Sequence, residues 1–156
     1  MVTAFTAVAA VPDPELRAVT IEELGILRDV REEGGRVVVT ITPTYSGCPA
    51  MDVIRADIGA ALRSAGHPVA DVVTVLSPPW STDDITDAGR AKLAAAGISP
   101  PGPAGRGGPV ALRLSVRCPL CGSPDTEEIS RFGSTACKAL WRCRACAEPF
   151  DHFKAL

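Results

Sequence analysis

No stretch of this 156-residue sequence approaches the about 18–20 consecutive apolar residues that a membrane-spanning helix needs. The opening "MVTAFTAVAAVPDPE" is apolar but has no Lys or Arg ahead of its apolar run, so it fails as a secretory signal and a cytoplasmic, reducing setting is expected. No glycine-rich phosphate loop follows a predicted strand, and no internal repeat is visible. Histidine is nearly absent: His67 stands beside Pro68 in a predicted turn, His152 lies in the final segment, and both read as structural or solvated. Neither has a local cysteine with which to form a nucleophilic pair, and no acid/base pair or open metal site can be assembled, so an enzyme in its own right is not expected. Neither sign of charge dominates. The formal net charge is −2, which does not advertise nucleic-acid binding by the whole chain. Cysteine is scarce as well, until the end: Cys48 stands alone, and the other five lie beyond Arg117.

What is present divides the chain. "DPELRAVTIEELG" predicts a short first helix, with Asp13 as N-cap, Pro14 at the first helical position and Gly25 as the stop. "ILRDVREE-GG-RVVVTIT" predicts a β-hairpin turning on Gly34-Gly35. "PAMDVIRADIGAALRSAG" predicts a helix with Ile54, Ile58, Ala61, Leu62 and Ala65 on its apolar side and Gly66 at its end. "PVADVVTVLSPPW" predicts a third strand, and "STDDITDAGRAKLAAAG" a last helix, capped by Ser81 or Thr82 and ended by Gly97. "SPPGPAGRGGP" follows, with four prolines and four glycines in 11 residues, a composition that reads as a linker. The expected organisation is therefore an α+β chain. Residues 10–98 form a small α/β domain with a three-stranded sheet, 99–109 a linker, and 110–156 a cysteine-rich β module that includes a strand over "PVALRLSVRC".

That module contains Cys118-Pro-Leu-Cys121-Gly, then 21 intervening residues, then Cys143-Arg-Ala-Cys146. Two residues between ligands let the chain turn back so that both sulfurs meet one tetrahedral ion at about 2.3 Å. Four thiolates close the shell, so the site is structural, and zinc is the expected metal, with mononuclear iron the chief alternative and a cluster a further one. The module is too small to fold on an apolar core alone. Gly122, and Ala147 at the equivalent place, are expected at positive φ. Cys137 reads either as a small buried apolar residue or, more sharply, as a substitute ligand or a cluster ligand.

Cys48 lies between a strand and a helix, in "TPTYSGCPAM". Pro49 suits the first helical position, which would put Cys48 at or near the N-cap, where exposed N–H groups favour a thiolate. Asp52 opposes that effect. A buried, inert cysteine is an equally open reading.

"DPEL…IEELGILRDV", "VVVTITPTYSGCPAMDVIRADI" and "VVTVLSPPWSTDDITDAGRAKL" resemble the MIP18/DUF59 family of iron–sulfur assembly domains. "CPLCGSPDTEEISRFGSTACKALWRCRACAEPFDHFK" is similar to the zinc-ribbon tail of the branch encoded with phenylacetyl-CoA epoxidase in aerobic phenylacetate breakdown. The resemblance implies a non-catalytic accessory protein that matures or maintains metal centres of that multicomponent oxygenase, with the iron–sulfur reductase subunit or the di-iron oxygenase subunit as client. It matches Cys48 to the family's reactive cysteine, tied to cluster transfer, and places Asp13, Pro14 and Glu15 in its opening acidic motif and Thr42 and Ser46 in its cysteine loop. Glu23 stands where Asp is usual, Arg17 replaces a proline-like position, and Ala155 follows Lys154 where a cysteine is usual. One thiol per chain holds a cluster poorly, so the resemblance implies a transient iron–sulfur cluster shared by two Cys48 residues in a homodimer. Two other classes stay open. One is a structural adaptor of the oxygenase. The other is a nucleic-acid-binding ribbon, in which Arg131, Lys138, Arg142, Arg144 and Lys154 surround Phe132, Trp141, Phe150 and Phe153. Against the latter, the excess over residues 110–156 is only 7 basic to 5 acidic.

Overall fold

The computed structural model describes residues 2–104 and 115–156; most of the strand predicted over "PVALRLSVRC", and about half of the linker, lie outside them. The chain divides into two compact units, Met1–Gly89 and Arg90–Leu156. Among the described residues no helix is long and apolar enough to cross a membrane.

The first unit is built on a hairpin. β1 (Leu27–Glu33) and β2 (Arg36–Ile41) pair antiparallel. They turn through Gly34 and Gly35, whose φ of +57° and +78° only glycine adopts without strain. β2 alternates, burying Val37, Val39 and Ile41 on one face. α2 (Ala50–Ser64) buries Ala50, Met51, Ile54, Ile58 and Leu62, while Ala61 and Ala65, expected on the same side, are half-buried. β3 (Ala70–Thr74) then returns parallel to β2, giving the order β1-β2-β3. α2 packs on β3 and on α1 (Ala4–Ala9), a short helix in the apolar opening of the chain, where the sequence predicted none.

Two predicted helices differ. Residues 13–25 form linked turns. Asp13 does cap, but its Oδ1 accepts from the N–H groups of Glu15 (2.9 Å) and Leu16 (2.7 Å), closing a turn that no helix continues. The reason is visible in the spacing of what is buried: Leu16, Val19, Ile21, Leu24 and Ile26 all face inward, at alternating intervals of three and two that no helical stripe accommodates. The predicted last helix breaks in two. Ser81 caps a single 3-10 turn, Thr82–Asp84, and Ile85 then takes extended backbone (ψ 127°) before α3 (Asp87–Ala95) begins. Ile85 is 4 % exposed, so burying its side chain accompanies the interruption.

In the second unit β4 (Ile98–Ser99), β5 (Thr126–Ser130), β6 (Lys138–Cys143) and β7 (Pro149–Phe153) form one sheet in the order β4-β7-β6-β5. β5, β6 and β7 make an antiparallel meander, and β4 joins β7 in parallel. The expected boundary after residue 98 thus differs from the observed one after Gly89. Ile98–Ser99 belongs to this sheet, and the Arg90 guanidinium donates to the Pro101 carbonyl within the same unit. The core is Val116, Cys118, Ala139, Trp141, Cys143 and Phe150, with Cys146 packed against it. Gly122 (φ +76°) and Ala147 (φ +66°) hold the left-handed turns expected after each CxxC knuckle.

Candidate functional site

The two knuckles converge. The Sγ atoms of Cys118, Cys121, Cys143 and Cys146 all lie within 4.8 Å of one another, with Cys118–Cys146 at 3.8 Å and Cys121–Cys143 at 3.5 Å. A tetrahedral ion at about 2.3 Å from each sulfur spaces them about 3.8 Å apart, so this donor set fits a structural metal. The backbone is arranged for thiolates: the Leu120 N–H points at Cys118 Sγ (3.4 Å) and the Cys146 N–H at Cys143 Sγ (3.5 Å). The latter contact is the main reason the Cys143 thiol is pulled down to about 7. Cys146 moves the other way, to about 12. The Glu148 N–H lowers it, but burial and the crowding sulfurs of Cys143, Cys121 and Cys118 together outweigh that donor. Four thiols in one shell cannot all ionise unaided, and a divalent cation removes the conflict by deprotonating every ligand. Cys137 is not part of this shell. It is buried, with Sγ 3.0 Å from Thr135 Oγ1, as the structural reading expects.

Cys48 occupies a different environment. Gly47, at φ +77°, turns the loop, the Cys48 N–H donates to the Tyr45 carbonyl (3.3 Å), and the Cys48 carbonyl accepts from Met51 (3.3 Å). Pro49 is itself the N-cap of α2, without a side-chain cap bond, and Cys48 immediately precedes it. Its side chain is half-buried and lines a groove of about 290 Å³ with Pro43, Ser46, Met51, Arg55 and Leu76. Arg55 donates to Thr74 Oγ1, which also lines the groove. A second groove of about 130 Å³ adjoins it through Pro43, Ser46 and Leu76, and is lined by Thr42, Tyr45 and Trp80. Thr42 is 1 % exposed and its Oγ1 has no hydrogen-bond partner among the described residues. Ser46 and Thr42 therefore do gather round the cysteine loop. Asp13 and Glu15 line neither groove: Asp13 is buried in its own turn and Glu15 is exposed.

Sequence reasoning missed Trp80. Its indole N–H donates to the Leu24 carbonyl (2.8 Å), which fixes the ring as a wall of the second groove. The only local signal was an aromatic residue after Pro78-Pro79, and the carbonyl that holds it lies 56 positions away.

The ribbon's aromatic and basic residues are mostly engaged. Trp141, Phe150 and Phe153 are core. Arg142 and Arg144 share Glu127 (2.6 and 2.9 Å), and Lys138 lies buried 3.7 Å from Asp151. The stacking surface that a single strand requires is thereby reduced to Phe132, capped by Lys154 at 5.0 Å.

Comparison with known proteins agrees with both halves. Residues 3–76 match the family "Iron-sulfur cluster assembly protein", and residues 106–154 match "PaaD zinc beta ribbon domain". The chain is 47 % identical to a putative 1,2-phenylacetyl-CoA epoxidase subunit of Escherichia coli (strain K12), over 94 % of this chain and 87 % of that one. It is 35 % identical to the Bacillus subtilis (strain 168) "Fe-S protein maturation auxiliary factor YitW", over 51 % of this chain and 79 % of that one. Among solved structures, a DUF59 domain from Bacillus anthracis superposes with a TM-score of 0.53 at 33 % identity, covering 58 % of this chain and 87 % of that one. A cluster-assembly domain followed by a four-cysteine ribbon, related along nearly its whole length to one type of epoxidase component, makes this chain a member of the PaaD family of phenylacetyl-CoA epoxidase subunits.

Proposed function

We propose that the protein is an accessory factor of a phenylacetyl-CoA epoxidase system and helps mature the iron–sulfur or di-iron centres of its oxygenase and reductase subunits. The observation that carries this reading is the half-buried Cys48 opening into a 290 Å³ groove at the mouth of α2. A thiol that releases its cargo must be reachable by a client's cysteines and must not be locked in a complete ligand shell. Cys48 meets both conditions, whereas the four ribbon sulfurs, although Cys121 is exposed, stand together in a complete ligand shell. The cluster is cargo here. Cys48 supplies one thiolate, and a second chain's Cys48 supplies another, so loading makes a homodimer. Ser46 at the groove and the Thr42 hydroxyl behind it are the polar groups available to that cargo. Asp13 closes the turn at Glu15 and Leu16 and lines neither groove. The ribbon metal, zinc in this reading, holds the second unit in shape and takes no part in transfer.

The test is anaerobic reconstitution with iron and sulfide. Wild type should gain visible cluster absorbance, sediment as a dimer when loaded, and restore activity to oxygenase made without it. Cys48→Ala should lose the absorbance and the restoration while retaining one ribbon metal per chain. Unchanged absorbance together with undiminished restoration would remove the transfer role and leave a structural adaptor, the outcome that full complementation by Cys48→Ser would also indicate.

A further inference from the structure

β3 is an edge of its sheet, and on one side it has no strand beside it among the described residues. The register with β2 fixes which backbone groups face that side. The Val37 N–H donates to the Val69 carbonyl (3.1 Å) and the Val75 N–H to the Ile41 carbonyl (2.9 Å), with Val37, Val39 and Ile41 level with Ala70, Val72 and Thr74. In such a parallel ladder alternate residues bond to the neighbour, so Val69, Asp71, Val73 and Val75 turn toward β2. The N–H and C=O groups of Ala70, Val72 and Thr74 therefore point outward, and no backbone group among the described residues takes them. Edges of natural sheets are usually blunted by charge, proline or cover. Here Val73 is 45 % exposed and Leu76 67 %, and the one charge of the edge, Asp71, lies 3.5 Å from Arg36 of the same chain.

This open edge runs into the cysteine groove, which Thr74 and Leu76 line together with Cys48 and Arg55. Side chains alternate along the strand. Ala70, Val72 and Thr74 share the face of the buried Val37, Val39 and Ile41, while Val69, Asp71 and Val73 stand exposed on the other.

We propose that the β3 edges of two copies of this chain pair antiparallel about a two-fold axis at Thr74, an inference that rests on the cluster-sharing role of Cys48. Outward-facing residues pair with one another, which leaves a few registers. An axis at Val72 or Val73 sets Asp71 against a valine and holds the two cysteine grooves apart. One at Val75 runs the ladder into Pro78, which has no N–H to give. About Thr74, Val73 of each copy faces Val75 of the other, an apolar cross-strand match, and Leu76 covers the second copy's Val72. No like charges meet in this ladder. Both grooves then flank the axis, which brings the two Cys48 loops to one centre and adds the second thiol that a single chain lacks. Arg55 of each copy stands at that centre, matched in sign to a cargo held by thiolates. The contact is short, so the empty chain stays monomeric and loading completes the interface.

Residue-level amide exchange on the full-length protein, before and after anaerobic reconstitution with iron and sulfide, tests this. In the loaded dimer the Val72 and Thr74 amides should exchange at least about tenfold more slowly than in the empty monomer, while Asp71 and Val73, already bonded to β2, should change little. Val73→Lys, at an exposed position, removes both valine matches and should weaken the loaded dimer about five- to tenfold in sedimentation. Val69→Lys is as exposed but outside the ladder, and should dimerise as wild type does. A cluster-bearing dimer with no new protection at Val72 and Thr74 overturns this inference and leaves the role of Cys48 standing. So does a Val73→Lys dimer as tight as wild type, or a Val69→Lys dimer weakened as much as Val73→Lys. A wild-type protein that takes up no cluster removes the role of Cys48 and this interface with it.

Discussion

The first unit keeps Val8, Ile21, Val39, Ile41, Ile58 and Leu62 at 0 % exposure and has its lone thiol at the surface of that core. The second unit gathers seven residues, of which Cys118, Cys143 and Cys146 are also members of the four-sulfur cluster. In the first unit the buried core is aliphatic and the cysteine stands outside it. In the second, cysteines are themselves part of the core. The same residue type thus sits in opposite environments in one chain, and it is the environment that sets what a sulfur can do.

Removing the metal should break the comparison most severely. Structural zinc contributes on the order of 10–16 kcal/mol of apparent binding free energy in small folds of this kind. A strong chelator, or Cys143→Ser, should therefore abolish amide-exchange protection over residues 115–156 while residues 2–89 keep theirs. Protection surviving in the ribbon would show that its apolar core suffices. The reciprocal change is Ile58→Ala, at a side chain with no exposure. It should cost about 2–5 kcal/mol in chemical unfolding of the first unit, with one metal still retained per chain. A loss below about 1 kcal/mol would mean the α2 contact is less well packed than its burial suggests.

A smaller effect sharpens the electrostatic side. Arg144, and after it Arg142, hold the Glu127 carboxyl below the usual glutamate value. A carboxyl lowered in the folded state contributes stability that is complete above its unfolded value and is lost as pH falls through the folded one. Glu127→Gln should therefore lower the ribbon's Tm slightly, by about a degree at neutral pH, and have no effect in acid below that window. A difference that persists in acid would assign the effect to packing.

How much could be read beforehand differs between the units for the same reason. The ribbon's chemistry was legible because CxxC spacing is local: each knuckle closes within a few residues, and even the left-handed turns at Gly122 and Ala147 could be placed. The hairpin on Gly34-Gly35 was legible on similar grounds. The helix predicted over residues 13–25 failed because its capping signal is real but its apolar residues serve a core approached from several directions. The grooves at Cys48 were not legible, because Trp80, Leu76 and Thr74 come to the cysteine loop from distant positions. Asp13 and Glu15 were expected there by resemblance, yet they line neither groove.

By itself the sequence determined which cysteines pair into knuckles, where the hairpin turns and which segments carry an apolar stripe, since these depend on spacing within a few residues along one backbone. Tertiary structure alone decided that Cys48 is half-buried beside a groove, that Thr42 and Trp141 keep polar atoms without a partner among the described residues, and that Ile98–Ser99 joins the second sheet. Each of those depends on what burial and pairing bring together from far along the chain, and no local pattern encodes it.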